Sequence, residues 1–235
     1  CLLPWRAYLS RRVLAHVVLH AALGNKGEAV AAAQMTQGAM PKRALVHMLT
    51  GLRDWVAALK PKGAGSSVWG DYESTRSYGA AETAGKHDFV RAFIAARRPA
   101  MLWDLGCNAG EFSLLALSAG AAVAIGFDGD HGALNAAYAR ICDTGQRLTP
   151  LYADLTDPSP AQGWAQGERA GLAERGPADC VLALALLHHF AIARNVPLAR
   201  VLDWLLSLAP SGIVEFVPKS DPQVQRMLRT RADIF

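Results

Sequence analysis

The chain has 235 residues, of which 51% are hydrophobic and 19% charged, a balance that offsets chain entropy by burial and excludes global disorder. Its formal charge is +4 and its pI near 9.0, yet the basic residues are scattered, with only short clusters such as Arg11-Arg12 and Arg97-Arg98, so a nucleic-acid partner is permitted but not indicated. Cys1, Cys107, Cys142 and Cys180 show no CxxC spacing and no paired histidine tract, which supports neither a zinc site nor a disulfide framework and leaves reduced, cytoplasmic thiols as the default.

Apolar residues recur at helical spacing over 5–23 and again over 44–59, where Leu45, Met48, Leu49, Leu52, Trp55 and Val56 share a stripe and Pro41 marks a helix start. The first stripe is interrupted by His16 and His20 and falls short of the ~18 apolar residues of a bilayer span, so a soluble protein is expected. His16, His20 and His47 lie on apolar stripes, which favours core or interface packing over metal binding. The Ala-rich stretch 24–38 reads as a short helix with frayed ends. Lys60-Pro-Lys-Gly-Ala-Gly-Ser-Ser67 breaks every period and reads as a linker. Residues 1–60 are therefore expected to form a helical cap or subdomain, and 61–85 a linker or lid.

From residue 86 helix and strand alternate: a helix over 86–97, a strand over 100–104, a helix over 111–118 and a strand over 122–128. A helix near 132–142, a short strand around 149–153 and a Gly-rich polar stretch follow. An apolar strand over 180–186, a helix over 196–208 and a strand over 212–217 close the series. Apolar strands separated by helices mean a parallel sheet covered on both faces. The expected class is α/β, a doubly wound Rossmann-like sheet.

In such a sheet the ligand lies beyond the carboxyl ends of the strands, where the first strand turns into its helix. That turn is Trp103-Asp104-Leu105-Gly106-Cys107-Asn108-Ala109-Gly110. Gly106 and Gly110, flanking Cys107 and Asn108, permit positive φ and close approach of a ligand; the plain alternative is a tight turn. Asp104 ends the first strand, placed to meet an ammonium group directly or through water. Asp128 closes the second strand about twenty residues past the loop, where a carboxylate accepts ribose hydroxyls. Asp154 follows the third strand and reads either as acceptor for an adenine amino group or as a cap or turn carboxylate. Asp130 reads as a helix cap. A dinucleotide loop packs a pyrophosphate against the helix N-terminus, but here its second and third glycine positions are Asn108 and Glu111, and Glu111 would set a carboxylate against the phosphates. A sulfonium ligand without phosphate suits the loop better.

These residues resemble class I S-adenosylmethionine-dependent methyltransferases, and more closely a bacterial branch that includes nodulation-associated proteins. The matching stretches are Trp69-Gly-Asp-Tyr72, Ser77-Tyr78, Lys86, the loop, Pro158-Ser-Pro160 with Gly163-Trp164, Ala183-Leu-Ala-Leu-Leu-His-His189, Asn195-Val-Pro197 and Glu215-Phe-Val-Pro-Lys219, within 69–235. The resemblance implies S-adenosyl-L-methionine as cofactor, with Asp104, Gly106 and Gly110 on its methionine part, Asp128 on the ribose and Asp154 at the adenine edge. Asn108 stands where glycine is commoner. Such domains end in an antiparallel hairpin after the fifth strand, so the chain, which begins at Cys1 rather than Met and stops on Asp233-Ile234-Phe235, reads as a fragment truncated in its C-terminal strands. A lipidated Cys1 is the other reading of that beginning.

The fourth strand ends in Leu187-His188-His189-Phe190, beside the expected methyl group. Either His188 or His189 serves as a general base, or both are structural, since methyl transfer needs little beyond alignment. An Asn/Asp-Pro-Pro-aromatic motif of amino-group methyltransferases is absent from this position, and Asp157-Pro-Ser-Pro160 reads as a rigid loop, which tilts the acceptor toward oxygen or carbon. Trp69, Tyr72, Tyr78 and Lys86 surround a segment able to fold over the cofactor, Tyr78 offering its face to the sulfonium and Lys86 pairing with the carboxylate. The alternative has the aromatics packing a linker and Lys86 solvated. Glu215 and Lys219 border the acceptor pocket or form a salt-bridged rim. A nicotinamide oxidoreductase and a non-catalytic adenosyl-binding protein are the competing readings. No metal is required.

Overall fold

The computed structural model describes residues 5–18, 41–59, 80–176 and 178–229, in two compact units, Cys1–Lys62 and Gly63–Phe235. The expected helix over 24–38, the linker after residue 60, and Trp69, Tyr72 and Tyr78 lie outside the described residues.

In the first unit, short helical turns span Trp5–Leu9, Arg11–Val13 and Leu14–Val18. A longer helix, α1, spans Lys42–Ala57 behind Pro41, whose φ of −55° suits helix entry. None of its residues is buried, and Leu45, Val46, Leu49 and Val56 are exposed. His47 is also exposed, which removes the core half of the expectation for it and leaves interface packing. No helix among the described residues is long and apolar enough to cross a membrane.

The second unit runs α2 (Ala80–Arg97), β1 (Met101–Leu105), α3 (Glu111–Ala119), β2 (Val123–Asp128), α4 (His131–Ile141), β3 (Leu148–Tyr152), β4 (Cys180–Ala183), α5 (Leu198–Leu208), β5 (Gly212–Val214) and α6 (Pro222–Leu228). The five strands pair in parallel in the order β3-β2-β1-β4-β5, the doubly wound sheet that the alternation predicts. Side chains alternate between its faces. Trp103, Leu105, Val181 and Ala183 pack with Val201, Leu205 and Leu208 of α5. On the other face Leu102, Cys180 and Leu182 pack with Val90 and Ile94 of α2 and Ala116 of α3. Asp104, two residues from Leu102, therefore falls on the α2/α3 face.

Three boundaries differ from the sequence reading by three residues or more. Helix α2 starts at Ala80 rather than 86, because its first turn carries no apolar period although its residues are helix-compatible. Strand β4 stops at Ala183 instead of 186: Ala185 takes a left-handed φ of 50°, which turns the chain into the helical turn His189–Ala193. Strand β5 stops at Val214, although the Glu215 N–H still donates to the Ala183 carbonyl at 3.0 Å. Helix α6 was not expected. It starts at Asp221-Pro222, where the Asp221 carboxylate accepts from the Gln223 and Val224 amides and Pro222 sits in the first turn.

Candidate functional site

The loop after β1 is built by its own backbone. Gly106 (φ 76°), Asn108 (φ 49°) and Gly110 (φ 77°) all lie in the left-handed region, where an L side chain is strained. A Cβ on Gly110 would also meet Leu148 Cδ2 at 3.0 Å, so the glycine both makes the turn and lets α3 start against β3. Every backbone amide from 106 to 110 is spoken for. Those of Gly106 and Cys107 donate to the Phe127 carbonyl at 2.8 and 3.0 Å, and that of Gly110 to the Cys107 carbonyl at 2.9 Å. The Asn108 amide donates to Asp128 Oδ2 at 2.9 Å, and the Ala109 amide to Asn108 Oδ1 at 2.6 Å.

Glu111 at the entrance of α3 is the feature that counts against a dinucleotide. A pyrophosphate needs unpaired amides at the helix entrance. Here the loop amides face inward, and Glu111, the first residue of α3, binds His87 Nε2 through Oε1 at 2.7 Å.

Two carboxylates border the loop instead. Asp104 is 2% exposed and accepts a hydrogen bond from Ser113 Oγ at 2.6 Å. Burial raises its pKa to about 6; the Ser113 hydroxyl and Lys86 pull it back down, while Asp128 pushes it up. Asp128 accepts from the Asn108 and Asp130 amides, at 2.9 and 2.8 Å, and burial raises its pKa too. Two partly desolvated carboxylates beside one another favour a cation between or above them. Each Asp128 oxygen keeps a further lone pair for a hydroxyl donor.

The remaining expected residues distribute as follows. Cys107 is present in the loop, but its thiol turns inward to Gly126 of β2 and is buried; burial pushes its pKa far up. Asp130 caps α4 as expected, accepting from the Gly132 and Ala133 amides. Asp154 makes turn contacts: Oδ1 accepts from the Thr156 amide and hydroxyl at 3.0 and 2.6 Å, and Oδ2 lies 3.3 Å from Arg194 Nη2. Those Thr156 bonds, with Arg194, hold its pKa below the usual carboxylate value. Beside it, the exposed rings of His131 and Tyr152 stack at 4.4 Å and 12°. Neither ring was singled out in the sequence.

Lys86 is not solvated on its helix. Its Nζ lies 2.7 Å from Glu215 Oε2, with both side chains about one-fifth exposed, and 4.9 Å from the Phe112 ring centre. Glu215, just past β5, thus bridges to α2, whereas Lys219 of the expected rim is exposed.

The segment after β4 closes over the loop, since a Cβ on Gly106 would lie 3.1 Å from Leu186 Cδ1. It carries His188 and His189, whose ring centres are 4.2 Å apart. His188 is 4% exposed, and its Nδ1 is buried with no hydrogen-bond partner among the described residues; burial lowers its pKa while Asp221 opposes the shift. His189 is more open, and burial, then the charge of His188, lowers its pKa to about 4. Both rings are neutral at pH 7.

The chain is 44% identical along its whole length to the nodulation protein NoeA of Rhizobium meliloti (strain 1021), and it spans 50% of that protein. No family model matches. Among solved structures it is similar to the bifunctional kinase-methyltransferase WbdD, at 20% identity over 73% of this chain and 36% of that one, TM-score 0.47. It is also similar to magnesium protoporphyrin IX methyltransferase (ChlM) from Synechocystis PCC 6803 with bound SAH, at 19% identity over 69% and 70% of the two chains, TM-score 0.44.

Proposed function

For a chain related in sequence to nodulation protein NoeA, with the parallel sheet and flanking helices of the class I methyltransferase fold, we propose an S-adenosylmethionine-dependent methyltransferase acting on an oxygen or carbon acceptor. One observation carries the reading: the buried Asp104 and the half-buried Asp128 beside the loop suit a cationic, hydroxyl-bearing ligand, while Glu111 at the start of α3 does not suit a pyrophosphate.

In this reading Asp104 receives the amino group of the cofactor and Asp128 its ribose hydroxyls, while Gly106 and Gly110 keep the floor free of side chains. The His131–Tyr152 stack gives the adenine an apolar face next to Asp154. When bound, the cofactor supplies an electrophilic methyl group on sulfonium sulfur. The protein aligns the acceptor for in-line attack and excludes water. His189, the more open of the two histidines, takes the acceptor's proton at a ring nitrogen. A base of such low pKa suits a proton that becomes acidic as the new bond to carbon forms. We take the reaction to be cytoplasmic, a reading supported by the absence of any disulfide spacing among the four cysteines.

The pH dependence of cofactor binding tests the assignment of Asp104. Its carboxylate is ionised above about pH 6, whereas His189 changes charge only near pH 4. Affinity for S-adenosylhomocysteine should be flat from pH 7 to 8.5. Below about pH 6 it should fall about tenfold per pH unit. A flat profile to pH 5 removes Asp104 from the cofactor site.

A further inference from the structure

Serine inside a helix normally turns its hydroxyl to a carbonyl of the preceding turn or to solvent. Ser113, in the first turn of α3, does neither: its Oγ donates to Asp104 Oδ2 at 2.6 Å, and the two residues are 0% and 2% exposed. The sheet is cut away to make room for this bond. In the parallel pairing Asp104 stands beside Gly126 of β2, and a Cβ there would lie 2.8 Å from Cys107 Sγ, 3.0 Å from Cys107 Cβ and 3.4 Å from Ser113 Oγ. With no side chain at 126, the Cys107 thiol tucks beneath the loop and α3 comes down far enough for its hydroxyl to reach the carboxylate.

We propose that Ser113 is a positioning residue for the cofactor's amino group: its hydroxyl fixes the rotamer of the buried Asp104 carboxylate and keeps it ionised, with Gly126 providing the space. This rests on the methyltransferase reading. A carboxylate desolvated to this degree drifts toward its neutral form unless a donor compensates, and a neutral Asp104 presents no charge to an ammonium group. The Ser113 backbone N–H also favours the charged form and survives substitution at 113; the other groups that face it are Asp128 at the end of β2, which favours protonation, and Lys86 of α2, which opposes it. The Cys107 thiol is the third, itself held neutral by burial. All three are unchanged by substitution at 113.

The test is Ser113→Ala in the full chain, a substitution that a helix accepts readily. Two quantities are read: the Asp104 carboxyl titration by 13C NMR without ligand, and affinity for S-adenosylhomocysteine at pH 8.5 and pH 6. Loss of one charge-assisted hydrogen bond should move the Asp104 midpoint up by about one pH unit. The variant should then bind a little more weakly than wild type at pH 8.5, where only the lost orientation counts, and about fivefold more weakly again at pH 6. Ser113→Thr, which keeps the hydroxyl, should restore both. An unchanged midpoint with equal loss of affinity at the two pH values would overturn the proposal, leaving Ser113 as packing alone. If wild type binds no S-adenosylhomocysteine at either pH, the methyltransferase reading fails, while the titration still decides whether Ser113 holds Asp104.

Discussion

Asp104→Asn should give a protein that is more stable and binds its cofactor poorly. The carboxyl group has a pKa of about 6 in the folded chain against 3.8 as a free side chain, so folding favours its protonated form. Below pH 3.8 both states are protonated and the group costs nothing. Between 3.8 and about 6 the unfolded chain releases the proton first, and above about 6 the folded chain carries a buried charge at full cost. A neutral amide of the same shape removes that cost, and the Ser113 hydroxyl can still donate to its oxygen. The variant should therefore be about 1–3 kcal/mol more stable at pH 7.5, an advantage that disappears near pH 3.5. Losing a charge-assisted contact to an ammonium group should weaken S-adenosylhomocysteine about 10- to 150-fold. Paired melting and binding curves check both halves. A variant that is destabilised at pH 7.5 yet binds normally would show that the carboxylate serves the fold.

His189→Ala should lower kcat for methyl transfer about 10²- to 10⁴-fold, the range lost with a positioned base. Affinity for S-adenosylhomocysteine should change less than about threefold, because the ring is assigned to the acceptor side. His188→Ala provides the contrast. That ring is 4% exposed and packs against its neighbour, so its removal should lower the melting temperature more than it lowers kcat. Equal, small effects on kcat in both variants would assign the pair to structure.

Much of the site was legible in the sequence because it lies at strand ends, where order along the chain translates directly into neighbourhood. Asp104, next to last in β1, and Asp128, last in β2, stand at the ends of adjacent parallel strands, and their positions beside the loop follow from strand order. The left-handed turn followed from Gly106 and Gly110. What escaped was the set of contacts made across elements. Lys86 and Glu215 are 129 residues apart, and no periodicity within either segment points to the other. Ser113 sits in an apolar helical run and Gly126 in an apolar strand, and each was a signal: a polar residue on a buried face needs a partner, and a glycine inside a strand marks a close approach. Read together they point at Asp104. Asp154 had two readings, and its turn contacts involve Thr156 two residues on and Arg194, which only the folded chain brings near. The left-handed Ala185 that shortens β4 had no sequence signal, since alanine seldom adopts that conformation.

The central claim, a site for a sulfonium nucleoside and not for a dinucleotide, is tested most directly by calorimetric titration of the chain at pH 7.5 with S-adenosylhomocysteine and, separately, with NAD. Saturable binding of S-adenosylhomocysteine that Asp104→Asn weakens, with no heat from NAD, is the predicted result. Binding of NAD without S-adenosylhomocysteine would contradict it.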